Sequence, residues 1–117
     1  MTWTDEELVA RSIGGDADSF NELILRWERP IYALAYRVIG REEDARDVCQ
    51  ETFLRAYRSL AGFKGQAKFS SWLYRIALNL CRDWIRRQEY VFASRAIRRH
   101  AGSLPAYCTQ LFRPSQP

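Results

Sequence analysis

Histidine and methionine each occur once in this 117-residue chain, and cysteine occurs three times. A single histidine leaves no Glu-x-x-His pairing, and the sequence has no nucleophile elbow, P-loop or glycine-rich dinucleotide turn. Cys49, Cys81 and Cys108 are odd in number and form no CxxC pair, which speaks against both a disulfide framework and a zinc site. Cys49 and Cys81 read as buried apolar thiols. Long apolar runs are also missing, since none approaches the roughly 20 residues of a membrane-spanning helix. The opening residues Met1-Thr2-Trp3-Thr4-Asp5-Glu6-Glu7 are acidic where an export signal is basic and then apolar. A cytoplasmic, non-enzymatic protein without metal or cofactor is expected.

What is present suits one soluble domain, with 47% hydrophobic and 27% charged residues. The net charge of +4 conceals an asymmetry. Residues 1–62 carry 8 Lys/Arg against 12 Asp/Glu, whereas residues 63–117 carry 10 Lys/Arg against only Asp83 and Glu89. An acidic half suits a basic protein surface, and a basic half suits nucleic acid.

Apolar spacing predicts helices throughout and no strand. Thr4 and Glu7 form a capping box ahead of Leu8, Val9 and Ile13, and Gly14-Gly15 ends that helix. Asp16 caps a second segment, with Phe20, Leu23, Ile24, Trp27, Ile31, Leu34, Ala35 and Val38 at helical spacing and Gly40 as its stop. Pro30 inside this run should kink it or divide it. A third helix starts among Glu42, Glu43 and Asp44 and runs through Ala45, Val48, Cys49, Phe53, Ala56, Tyr57 and Leu60 to Gly62. After a basic loop, a fourth helix runs from about Ser70 to about Tyr90, with Trp72, Leu73, Ile76, Ala77, Leu80 and Trp84 on one face. The expected architecture is all-α, a compact bundle of about four helices over residues 1–90, followed by a linker or irregular tail over residues 91–117. Pro105, Pro114 and Pro117 argue against a long helix in that tail.

Two polar stripes stand out. Glu43, Asp47 and Glu51 recur at i, i+4 spacing, yet a helix-bundle metal site draws carboxylates from several helices. The one histidine, His100, lies in the least patterned stretch and reads as a surface residue. Together with Asp44, Gln50, Arg55 and Arg58 these carboxylates form either a docking strip or a plain solvated face. On the fourth helix, Arg75, Asn79, Arg82 and Arg86 follow one another at spacings of 4, 3 and 4, with Arg87 beside them and Lys64 and Lys68 in the preceding loop. A helix of about 20 residues spans about 30 Å and can follow several phosphates. Phe63, Tyr74 and Tyr90 are interleaved with these charges and serve either base stacking or the core, whereas Phe69 reads as core.

The ordered series D-A-R-D-V-C-Q-E-T-F-L-R-A-Y at 44–57 and F-K-G-Q-A-K-F-S-S-W-L-Y-R-I-A-L-N at 63–79 resembles bacterial RNA polymerase sigma factors. The resemblance is to the second conserved region of the extracytoplasmic-function (ECF) group and covers roughly residues 5–90, including G-D-A-D-S-F-N-E-L at 15–23 and Y-A-L-A-Y-R-V-I-G at 32–40. It implies a transcription initiation domain that docks on core RNA polymerase and recognises and melts the promoter minus-ten element. Asp44, Asp47, Gln50, Glu51 and Arg55 would meet a coiled coil of the largest polymerase subunit. Phe63, Lys64, Gly65, Gln66 and Ala67 would form the loop that receives a flipped base of the non-template strand. Lys68, Tyr74, Arg75, Asn79, Arg82 and Arg86 would hold strand and duplex. An anti-sigma factor is a further implied partner.

Sigma factors of this group ordinarily continue into a helix-turn-helix region, and residues 91–117 do not resemble one. A shortened module that occupies polymerase or an anti-sigma factor without initiating transcription is therefore the alternative expectation.

Overall fold

The computed structural model describes residues 2–99, all helix, turn and loop without a strand among them. Four helices follow in order: α1 (Asp5–Ile13), α2 (Ala17–Ile39), α3 (Glu42–Ser59), extended by one tighter turn at Leu60–Gly62, and α4 (Phe69–Arg99). The described residues divide into two compact units, one ending at Cys81 and the other beginning at Arg82. His100, Cys108 and the tail from Gly102 lie outside the described residues.

In the first unit, the helix ends follow local chemistry. The Glu7 amide donates to Thr4 Oγ1 at 3.2 Å and the Thr4 amide donates to Glu7 Oε2 at 3.1 Å, completing the expected capping box. Asp16 caps α2 by accepting from the Asp18 amide at 3.2 Å. Its carboxyl also receives the Ser19 hydroxyl at 2.8 Å and the Arg11 guanidinium at 3.1 Å, and the Ser19 bond is the main reason its pKa is lowered. Gly40 closes α2 at φ 77°, a left-handed cap that a side chain would strain. Pro30 does not divide α2, which continues as one helix to Ile39. Only one ladder donor is lost at a proline, and Ile31 and Ala35 beyond it are fully buried, so packing holds the following turns in place.

The core joins Leu8 and Val9 of α1, Phe20, Leu23 and Ile31 of α2, Cys49, Phe53 and Ala56 of α3, Leu60, and Phe69, Leu73 and Ala77 of α4. A second cluster gathers Ala35, Ala45, Val48, Leu80 and Cys81. The periodicity reading is corrected at three points. Ile13 is 49% exposed and Tyr57 59%, because each stands one shoulder off the buried arc of its helix. Thr52 is fully buried on α3, its hydroxyl donating to the Val48 carbonyl at 2.7 Å, a pairing that lets a polar residue occupy a core position. On α4 the buried centre is Leu73, Ala77, Leu80 and Cys81, with Trp72 and Ile76 only half-buried beside it.

Helix α4 also runs on to Arg99, past the end expected near Tyr90 and through the start of the expected irregular segment. Residues 82–99 contain neither glycine nor proline, so local propensity offers no stop there. Among the described residues no helix is long and apolar enough to cross a membrane.

Candidate functional site

The loop between the tight turn and α4 is suspended between two buried residues, Leu60 and Phe69. Lys64, Gly65, Gln66, Ala67 and Lys68 are all exposed, and Gly65 turns the chain at φ 70°. Phe63 is different from the rest of the loop. Its ring lies 4.9 Å from Trp72 and 6.2 Å from Phe69, centroid to centroid, and so anchors the loop's first residue on the core. Tyr74 is also half-buried, meeting Trp27 of α2 edge to face at 6.1 Å and 83°. Arg75 and Asn79 are exposed on the part of α4 that belongs to the first unit.

Arg82 and Arg86 belong to the second unit and are exposed there. Arg86 is 3.8 Å from Asp83, a solvated i, i+3 contact of little energy. Tyr90 is half-exposed.

On α3, Asp47 and Arg55 are exposed and Asp44 and Glu51 half-exposed. Glu51 accepts from Arg55 Nε at 3.3 Å, while Asp44 and Asp47 keep their charges toward solvent. Successive residues of a helix advance by about 100°, which sets Gln50 apart from these four. Gln50 lines a groove of about 950 Å³ between α2 and α3, together with Ile24, Tyr32, Arg46, Phe53 and Tyr57. Periodicity did not reveal this groove. Its signal was the pairs Phe53-Leu54 and Ala56-Tyr57, which make the apolar arc of α3 wider than a single core contact needs.

Cys49 opens onto the same groove and donates its thiol to the Glu28 carbonyl at 3.5 Å. Burial, with a smaller contribution from Glu28, pushes its pKa up to about 11. Cys49 and Cys81 are both free and buried, as expected of apolar thiols. Among the described residues no cluster of histidine, cysteine or carboxylate could hold a metal ion.

These features define a small all-helical domain with an acidic helix face and a basic, polar loop leading into a helix with exposed arginines. Residues 23–90 match the family described as Sigma-70 region 2, and the chain belongs to that family. It is 41% identical over 85 residues to the ECF RNA polymerase sigma-E factor of Haemophilus influenzae, covering 73% of this chain and 44% of that protein. It is 44% identical over 75 residues to the ECF RNA polymerase sigma factor SigW of Bacillus subtilis, covering 64% of this chain and 40% of that protein. The chain thus spans less than half the length of these curated relatives. Among solved structures it is similar to an engineered region 2 of sigmaE in complex with GTAAAA, with a TM-score of 0.69 and 40% identity over 75% of this chain and 94% of that one.

Proposed function

We propose that this chain acts in the cytoplasm as a promoter-recognition domain of a transcription initiation factor, docking on core RNA polymerase and binding the opened minus-ten element. The observation that carries the reading is the exposed polar loop Lys64–Lys68 held between buried Leu60 and Phe69, in a chain similar to a region 2 solved with GTAAAA. Residues 1–90 form the working unit, and residues 91–117 follow it.

Within that reading the roles divide by chemistry. Lys64, Gly65, Gln66 and Ala67 read a flipped base, and Phe63 supports them from the core edge. Such readout depends on polar groups that meet a base edge once the base has left the stack. Lys68, Arg75 and Asn79 hold the strand, chiefly through phosphates, and half-exposed Tyr74 stacks on its bases. Arg82 and Arg86, in the second unit, add further phosphate contacts. Asp44, Asp47, Glu51 and Arg55 meet the coiled coil of the largest polymerase subunit, and Gln50 does so from the groove side. An anti-sigma factor is a second protein partner. No catalytic step is assigned to any residue. Nothing among the described residues favours a decoy that only occupies polymerase.

The test is binding of single-stranded minus-ten oligonucleotides, followed by fluorescence anisotropy with and without core polymerase. Preference for one base at one position, altered by Gln66→Ala and Lys64→Ala, is the expected result. Equal affinity for every sequence, unchanged by loop substitutions, would overturn the base-reading role.

A further inference from the structure

Helix α1 precedes the Sigma-70 region 2 match at residues 23–90, yet it is tied through α2 to the helix assigned to DNA. Asp5, in the first turn of α1, receives two donors on one oxygen: Arg26 at 2.8 Å and the Trp27 indole N–H at 3.2 Å. Arg26 also donates to the Trp3 carbonyl at 2.9 Å, and Arg11 stacks over the Trp3 ring at 4.6 Å. The Asp5–Arg26 pair is shielded, with side chains 17% and 29% exposed, so it is worth more than a surface ion pair. The indole is therefore held at both ends, by Asp5 through its N–H and by Tyr74 through its ring. An edge-to-face contact has a preferred geometry, so turning the indole turns the phenol. Tyr74 immediately precedes Arg75, is half-exposed, and no buried side-chain polar atom among the described residues lacks a partner. Its hydroxyl is thus not sealed in the interior, and its place on α4 adjoins that of Arg75.

We infer that Asp5 and Trp27 are positioning residues that set the orientation of Tyr74 for contact with single-stranded promoter DNA, making α1 part of the DNA-binding apparatus. The inference rests on the function proposed above. It requires no motion, only that the indole be held by an oxygen acceptor from one helix while presenting its ring to another.

The experiment compares Asp5→Ala, Asp5→Asn, Trp27→Phe and Tyr74→Ala, singly and as Asp5→Ala with Tyr74→Ala. Each variant is assayed for anisotropy with a minus-ten oligonucleotide over a salt series, and for the aromatic carbon NMR signals of Tyr74. Asp5→Ala and Trp27→Phe should weaken binding about fivefold, the scale of one aromatic pair, with the salt slope unchanged because no phosphate contact is lost. Asp5→Asn, which keeps an oxygen for the indole N–H, should recover most of the affinity. In the Tyr74→Ala background Asp5→Ala should add nothing, whereas a purely structural role would give additive losses. Additive losses, or Tyr74 ring signals unmoved by Asp5→Ala in a folded protein, would overturn the inference. If the parent binds no minus-ten strand, the proposed function fails, while the ring signals still decide whether Asp5 orients Tyr74.

Discussion

The rings of Phe63 and Trp72 lie 4.9 Å apart, so the first residue of the exposed loop is also the edge of the core. Phe63→Ala should therefore act twice, lowering stability by about 1–3 kcal/mol through lost apolar and aromatic contact and loosening the loop. Lys64→Ala, one residue on, should leave stability within about 0.5 kcal/mol. Urea denaturation of the two variants separates them, and equal midpoints would mean that the ring contact carries no weight.

Charge reversal at Asp47 and Glu51 tests the acidic helix face. The Glu51–Arg55 pair at 3.3 Å is solvated and worth a few tenths of a kcal/mol, so Asp47→Lys with Glu51→Lys should melt close to the parent. Retention on immobilised core polymerase should fall sharply. A well-folded double variant retained like the parent would remove these residues from the docking surface.

The buried centre of α4 sets an order of cost. Leu73 is fully buried and Leu73→Ala should cost about 2–5 kcal/mol, whereas half-buried Ile76→Ala should cost clearly less. Thermal melts of both variants check this, and a reversed order would place the buried face of α4 one residue away from where the structure has it.

Phosphate and base contacts should respond differently to salt. Arg75→Ala should weaken binding to all sequences alike and lower the salt slope by roughly one unit, because a single released counterion is lost. A change in base preference without a change in slope would move Arg75 into the base-reading group.

The buried thiols predict an alkaline weakness. The Cys49 pKa stands at about 11 in the folded chain against an ordinary 9.0, and that of Cys81 is raised in the same direction. The folded state thus retains a proton that the unfolded chain releases. This contribution is whole below about pH 9 and is lost as pH rises toward about 11. Cys49→Ala should flatten the fall in denaturation midpoint over that window, and alkylation of the parent at pH 8 should be slow until it unfolds.

The fold was legible wherever a local rule acts alone. Thr4 with Glu7, Asp16 and Gly40 mark helix ends through their own backbone chemistry, and the structure bears each of them out. What periodicity could not settle was decided by tertiary packing. Thr52 looks polar in the sequence but is fully buried, because its hydroxyl finds a carbonyl one turn back. Tyr57 looks like core but stands exposed beside the groove, with its ring edge-to-face on Phe20 at 5.1 Å. Of the candidate site, the loop and the charged stripes were visible as composition. The Asp5–Trp27–Tyr74 connection was not, because it joins residues far apart in sequence through a ring whose partners no spacing rule names.

The loop that follows Gly62 bears on how such a domain can change over generations. Its two ends are fixed by Leu60 and Phe69, while Lys64, Gly65, Gln66, Ala67 and Lys68 contribute nothing to the interior. Substitutions among those five can therefore accumulate at almost no thermodynamic penalty, with Gly65 the exception because of its backbone. On the proposed reading, a lineage carrying this domain can acquire a new set of target promoters without first acquiring a more stable scaffold.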